Sequence, residues 1–277
     1  MKMEEKTITQ VPKPIILKLG GSVITLKNKS FTLNKRAITR LAEEIKRADV
    51  NSLVIVHGGG SFGHPVAKQY KIDEGYKDSS QIIGFSKTHQ AMVKLNKHVI
   101  DSLIKQNIPA VEIQPSSIII TRSGRIDIME ERPLTKLLEL GFIPILYGDA
   151  VSDSSIGFAI LSGDQLVSQL AIRLNADHII IGVDVDGLYT ADPKTRHFPQ
   201  LLQHITLQQL KKLQNNIEKT SVTDVTGGML GKILELIPAL EHGVNVRIVN
   251  ALKPDNVYRA LKGEVVGTFI EKGEKTA

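Results

Sequence analysis

The feature that most narrows the fold of this chain is an alternation of two hydrophobic periods. Ile15–Leu19, Ser52–Val56, Ile143–Tyr147, His178–Val183, Val246–Val249 and Val266–Ile270 are short runs, apolar at all or most positions. That is the pattern of strands buried on both faces of a parallel sheet. Between them lie longer stretches with helical spacing. Asn34 caps one that runs to about Ala48, with Ile38, Leu41, Ala42 and Ile45 on one face. Gln81 to Gln106 is a long helix striped by Phe85, Met92, Leu95, Val99 and Leu103. Pro133–Leu140, Asp164–Asn175, Ile205–Leu213 and Asp255–Lys262 are further helices. Gly228–His242 is another, bent at Pro238 and stopped at Gly243. Strands alternating with helices predict an α/β domain with helices layered on a mainly parallel sheet. Pro109–Ile113, Ser117–Thr121 and Ile156–Leu161, around the turn Arg122-Ser-Gly-Arg125, predict some antiparallel strands as well.

Composition removes several classes of function. The absence of cysteine excludes disulfides, thiolate-bound zinc, iron–sulfur clusters and thiol catalysis. The most apolar candidate for a membrane span, Leu137–Tyr147, is broken by Glu139, Gly141 and Pro144, so no spanning helix is expected. The opening MKMEEKTITQVPKP lacks an apolar core and reads as a short arm rather than a signal peptide. A net charge of +6 is spread along the chain, and aromatic residues are only 4 %. Without blocks of like charge or stacking platforms, the excess suits a small anionic ligand better than a nucleic acid.

Ligands of such sheets bind beyond the carboxyl ends of the strands, and glycine-bearing segments stand there. They are Lys18-Leu-Gly-Gly-Ser22, His57-Gly-Gly-Gly-Ser-Phe-Gly-His64, Ser162-Gly-Asp164 and Asp224-Val-Thr-Gly-Gly-Met-Leu-Gly-Lys232. Glycine lets backbone N–H groups approach an anion, and a helix N-terminus adds partial positive charge. Neither GxxxxGK[ST] nor a strand-terminal GxGxxG occurs, so a P-loop enzyme or a standard dinucleotide dehydrogenase is not expected.

These four segments, with Asp184-Val-Asp-Gly-Leu-Tyr-Thr-Ala-Asp-Pro193, resemble the amino acid kinase superfamily in order and over most of the chain. Within it, the second histidine of HGGGSFGH and the run IPAVEIQPSS at 108–117 resemble the archaeal isopentenyl phosphate kinase family. The resemblance implies a three-layer αβα sandwich with a mainly parallel open central sheet. It implies a single domain over 15–277 after an arm over 1–14, with an acceptor-binding part to about residue 175 and a nucleotide-binding part beyond it. The activity implied is transfer of the ATP γ-phosphoryl group to isopentenyl phosphate with Mg²⁺, by a cytoplasmic homodimer. A phosphonate kinase of the same superfamily, or a nucleotide-sensing protein without catalysis, is the alternative.

The resemblance also distributes roles. Lys18 and Lys232 meet the nucleotide phosphates, Lys27 stabilises the transition state, and Asp164 orients the lysines. His64, Gly59 and Gly163 hold the acceptor phosphate. Gly20, Gly21, Ser22, Gly60 and Gly228 present backbone to ATP, while Asp184, Gly187 and Tyr189 belong to its base and ribose loop. Gln165 stands where the family often has a second acid. His57 is expected to be structural, and His89 and His98 to be ordinary helix residues. Ile82, Ile83 and Phe85, with Ile160 opposite, are the expected wall for the acceptor's apolar tail. No protein metal ligands are expected, because the metal would ride on the nucleotide.

Overall fold

Neighbouring residues of the first strand serve two different cores. The computed structural model describes residues 12–190, 200–220 and 229–273. In it, β1 (Ile15–Leu19) sends Ile16 into one apolar cluster and Leu17 and Leu19 into another, because side chains alternate across a strand. β2 (Leu53–His57) divides likewise, Val54 and Val56 against Leu53 and Ile55. A strand apolar on both faces reads as an unbroken apolar run, which is why these elements stood out in the sequence.

The remaining strands are β3 (Ala110–Glu112), β4 (Ile119–Arg122), β5 (Arg125–Met129), β6 (Ile143–Tyr147), β7 (Asp149–Asp153), β8 (Gly157–Leu161), β9 (His178–Val183), β10 (His204–Thr206), β11 (Asn245–Asn250) and β12 (Thr268–Glu271). Among the described residues, eight of the twelve strands form one sheet in the order β10-β12-β11-β9-β1-β2-β6-β3. It is parallel except where β12 runs against β11. A smaller sheet, β5-β4-β7-β8, consists of two antiparallel hairpins joined in parallel at Thr121 and Asp153.

The helices are α1 (Gly21–Ile24), α2 (Lys35–Ala48), α3 (Gly60–Gln69), α4 (Ser80–Lys105), α5 (Pro115–Ile118), α6 (Arg132–Glu139), α7 (Gly163–Arg173), α8 (Leu207–Thr220), α9 (Met229–Leu234), α10 (Ile237–Glu241) and α11 (Asn256–Leu261). α2, α4 and α11 pack on the Leu17 face, and α6, α7 and α10 on the Ile16 face. The three-layer sandwich with a mainly parallel central sheet is therefore the observed architecture. Asn34 caps α2 as expected, its side chain accepting from the Ala37 N–H.

Several boundaries differ from the sequence reading. The helix expected over 228–242 is two helices, because Pro238 has no N–H to continue α9 and instead sits in the first turn of α10. The helix expected from Ile205 begins at Leu207, since His204–Thr206 pairs with β12. The strand expected over 117–121 begins at Ile119, after the helical turn α5.

β1 lies between β2 and β9, with Lys18 level with Val56 on one side and Ile181 on the other. Chain connections diverge from β1 to both sides there, and such a switch point opens a crevice at the strands' carboxyl ends.

Candidate active site

The crevice is built from backbone before any side chain enters it. Gly21 follows β1 and Gly60 follows β2, and the two loops touch. A Cβ on Gly21 would lie 2.3 Å from the Gly60 nitrogen, and one on Gly60 would lie 2.2 Å from Thr25 Oγ1. Gly60 also has φ +47°, a conformation that favours glycine. Thr25 stitches the loops together, its hydroxyl donating to the Gly21 carbonyl at 2.7 Å and accepting from the Ser61 N–H at 2.9 Å.

Above this junction is a cavity of about 540 Å³. Lys18, Gly20, Gly21, Ser22, Lys27, Gly59, Gly60, His64, Gly163, Asp164, Asp184, Gly187, Tyr189 and Lys232 all line it. The expected site residues are thus brought together, apart from Gly228, which lies outside the described residues. The N–H of Gly20 is spent on the Gly182 carbonyl at 2.8 Å, so this glycine shapes the wall without a free donor. Lys29, two residues from Lys27, does not line the cavity.

Charge at the centre is concentrated on one carboxylate. Lys18 has a side chain only 5 % exposed, and its Nζ donates to Asp164 Oδ1 at 2.5 Å. The other oxygen, Oδ2, is 3.9 Å from Lys232 Nζ. Burial pushes the Lys18 ammonium below its ordinary pKa. Asp164 opposes that shift and Lys232 adds to it. Across the cavity mouth Lys27 Nζ donates to Asp184 Oδ2 at 2.6 Å. Burial alone would raise the Asp184 carboxyl, but the Lys27 bond and charge hold it below the usual range.

His64, in the first turns of α3, is pushed below its ordinary pKa by partial burial and then by Lys232 and Lys18. A neutral imidazole in this place can still donate one hydrogen bond to an anion. α7 adds its N-terminus at Gly163, with Ser162 as the cap accepting from the Gln165 N–H.

His57 is structural, as expected. It is fully buried, stacks on Tyr147 with ring centroids 5.3 Å apart, and places Nδ1 3.1 Å from the Gly58 carbonyl. Burial pushes its pKa to about 4, so it is neutral at physiological pH.

Two sequence expectations are corrected. Ile82 and Ile83 are 57 % and 55 % exposed, and they do not reach the main cavity. Phe85 turns to Phe158 and helps line a separate cavity of about 320 Å³. Of the expected wall only Ile160 lines the main cavity, where Ala67, Thr88 and Met92 line it as well. His89 is more than a surface residue: its Nδ1 lies 3.0 Å from Oδ2 of Asp149, a buried carboxylate on the cavity wall. The Asp149 bond raises the His89 pKa, while burial raises that of Asp149. Nothing in the sequence joins these two positions, since only the fold brings α4 against the start of β7.

Comparison with known proteins bears directly on this site. The profile of the amino acid kinase family matches residues 13–250. The chain belongs to the amino acid kinase family. Among its relatives in that family, isopentenyl phosphate kinase of Methanothermobacter thermautotrophicus is 44 % identical over 265 residues, 92 % of this chain and 98 % of that protein. The enzyme of the same name from Methanocaldococcus jannaschii is 38 % identical over 94 % of this chain and 99 % of its own length. A solved isopentenyl phosphate kinase structure superposes with a TM-score of 0.81 at 41 % identity, covering 93 % of this chain and all of that one.

Proposed function

We propose that this amino acid kinase transfers the γ-phosphoryl group of ATP to isopentenyl phosphate, giving isopentenyl diphosphate. The observation that carries the reading is the composition of the main cavity. Lys18 and Lys232 both reach Asp164, and the same cavity is lined by glycine-rich backbone, by His64 and by the apolar Ala67, Met92 and Ile160. A phosphate monoester with a short hydrocarbon tail matches that set of surfaces. The similarity to enzymes named isopentenyl phosphate kinase supports it.

Phosphoryl transfer needs positioning and charge neutralisation more than covalent chemistry by the protein. Donor and acceptor phosphates repel each other, so cations must hold both. Lys18 and Lys232 are proposed to take the nucleotide phosphates, with Gly21, Ser22 and Gly60 offering backbone. His64, Gly59 and Gly163 are proposed to hold the acceptor phosphate. An acceptor oxygen forms the new bond to Pγ as the bond from Pγ to the bridging oxygen of ADP breaks. Lys27 is proposed to follow the transferring group. A phosphate monoester has its second pKa near ~6, so its attacking oxygen is already deprotonated and no base is required. Asp184, Gly187 and Tyr189 are proposed to border the base and ribose.

Among the described residues no three metal-ligating side chains converge. Asp164 and Asp184 are each engaged by a lysine. This suits Mg²⁺ held by the nucleotide's own phosphate oxygens, where it would supply further neutralisation of the β- and γ-phosphates. Residues from both sides of the boundary near 175, which is proposed to separate an acceptor-binding from a nucleotide-binding part, line the cavity. A cytoplasmic homodimer is the accompanying proposal, and sedimentation of the purified chain tests the dimer.

The deciding experiment is an acceptor screen with Mg-ATP over isopentenyl phosphate, dimethylallyl phosphate, fosfomycin, UMP and N-acetylglutamate. ADP release is expected with the prenyl phosphates and above all with isopentenyl phosphate. Absence of turnover with both prenyl phosphates overturns the proposal.

A further inference from the structure

Lys232 and Asp164 come from distant parts of the chain, and the short helix α9 that carries Lys232 has only six residues. Ile233 and Leu236 are each 1 % exposed and fix how deeply this segment sits. Apolar contacts of that kind are not directional, so they do not by themselves aim a lysine at a phosphate. A second set of contacts does. Glu235, three residues after Lys232, accepts from both terminal nitrogens of Arg125, Nη1 to Oε1 at 2.7 Å and Nη2 to Oε2 at 2.8 Å. A two-point guanidinium–carboxylate bond defines orientation as well as distance.

Arg125 is itself held. It closes the turn between β4 and β5, whose backbone is gripped from two sides. Asp153 accepts from the N–H groups of Ser123 at 3.1 Å and Gly124 at 2.7 Å. Gln165 accepts from the Ile126 N–H at 2.7 Å and donates to the Gly124 carbonyl at 3.1 Å. Gln165 is the chain neighbour of Asp164. The contacts therefore form a closed ring: Asp164 to Gln165 through the chain, Gln165 to the turn, Arg125 to Glu235, Glu235 to Lys232 through the chain, and Lys232 back to Asp164.

We propose that this ring is a strap that aims Lys232 across the cavity, with Arg125, Glu235 and Gln165 as positioning residues for the phosphoryl donor. None of the three lines the cavity, so each acts through another residue. The Arg125 and Glu235 side chains are 57 % and 27 % exposed, and an ion pair so placed adds little to global stability. Its effect is on where Lys232 stands. A small displacement of a cation that positions the phosphoryl donor is costly, because misplacement on the order of 1 Å can lower rates about a hundredfold.

The inference rests on the kinase reading above, and the test separates the two. Steady-state kinetics with both substrates, calorimetric binding of a non-hydrolysable ATP analogue and thermal midpoints are measured for the wild type, Arg125→Gln, Glu235→Gln, the double variant and the charge swap Arg125→Glu/Glu235→Arg. The expected result is a fall of about 5- to 20-fold in kcat/KM for ATP in each single variant. The KM for the acceptor and the thermal midpoint stay close to wild type. The double variant is no slower than the slower single one, because both remove the same bond. The swap recovers most of the loss. Single variants within twofold of wild type in kcat/KM for ATP overturn the strap, as does a double variant with multiplied losses. Equal losses for both substrates that track a lowered thermal midpoint also overturn it, since that is the signature of a merely structural contact. If the wild type neither binds the analogue nor turns over, it is the kinase reading that fails.

Discussion

Asp164→Asn removes a charge from the centre of the cavity while keeping the side chain's shape, and its cost can be worked from the burial of Lys18. With its side chain 5 % exposed, Lys18 cannot recover its hydration when its counter-ion goes. Breaking such a pair by removing one partner costs about 3–5 kcal/mol. The ammonium has one escape, which is to give up its proton. That route costs about 1.4 kcal/mol for each pH unit between the buffer and the ordinary lysine value of 10.5. It therefore caps the loss near ~5 kcal/mol at pH 7 and near ~2 kcal/mol at pH 9. The sign follows from proton counts. The unfolded chain keeps the Lys18 proton up to its ordinary pKa and the folded variant does not, so stability of the variant rises with pH in that window. In the wild type Asp164 opposes the shift, so the gap between the two proteins narrows as pH rises. Urea unfolding at pH 7 and pH 9, extrapolated to water, measures it. A gap under about 1 kcal/mol at pH 7, or one that is no smaller at pH 9, would refute the argument.

Other consequences are open to direct measurement. Lys27→Ala is expected to cut kcat by about 100-fold or more, the scale of losing one electrostatic donor at a transition state, with ATP affinity little changed. Lys29→Ala, outside the cavity, is expected to turn over normally, and the reverse result would exchange their roles. His57, with its pKa lowered to about 4, gives stability that is full above pH 6.5 and is lost as pH falls toward 4, by roughly 3 kcal/mol in total. Urea midpoints between pH 7 and pH 4 test this, and a slope unchanged in His57→Asn removes His57 as its source. Glu44, 1 % exposed, accepts from the N–H groups of Asp255, Val257 and Tyr258 and so caps α11 from a distant helix. Glu44→Ala should cost about 2–4 kcal/mol while kcat stays within twofold. A change of less than 1 kcal/mol in urea unfolding would contradict that assignment.

What was legible in the sequence was whatever a local pattern could encode. β1, β2, β6 and β9 had to be apolar on both faces, and the first three run directly into glycines of the cavity while β9 runs into Asp184. The extent of α3 is not legible in the sequence, because Gly60, Gly63 and Pro65 are poor helix formers. The helix forms because Phe62, Val66 and Ala67 are buried beneath it. β5 and β7 were missed. β5 is mostly exposed, and its turn depends on Asp153 and Gln165, which are far off in sequence. The acceptor wall was misassigned for a geometric reason. α4 runs for 26 residues past the cavity, and only its angular position selects Thr88 and Met92 over Ile82 and Ile83. Asp149 and His89 illustrate the same limit for chemistry, as neither residue carries a local signature of the other.

The bare contact between Gly21 and Gly60 has an evolutionary reading. Because these loops meet backbone to backbone and are tied by Thr25, a side chain added at either glycine would force them apart. The spacing of the two proposed phosphate sites is then a property of the scaffold. Divergence toward new donors or acceptors is left to other parts of the lining, such as the 184–189 loop and Ala67, Met92 and Ile160. Libraries meant to alter the choice of substrate should concentrate diversity there and leave both glycine loops untouched.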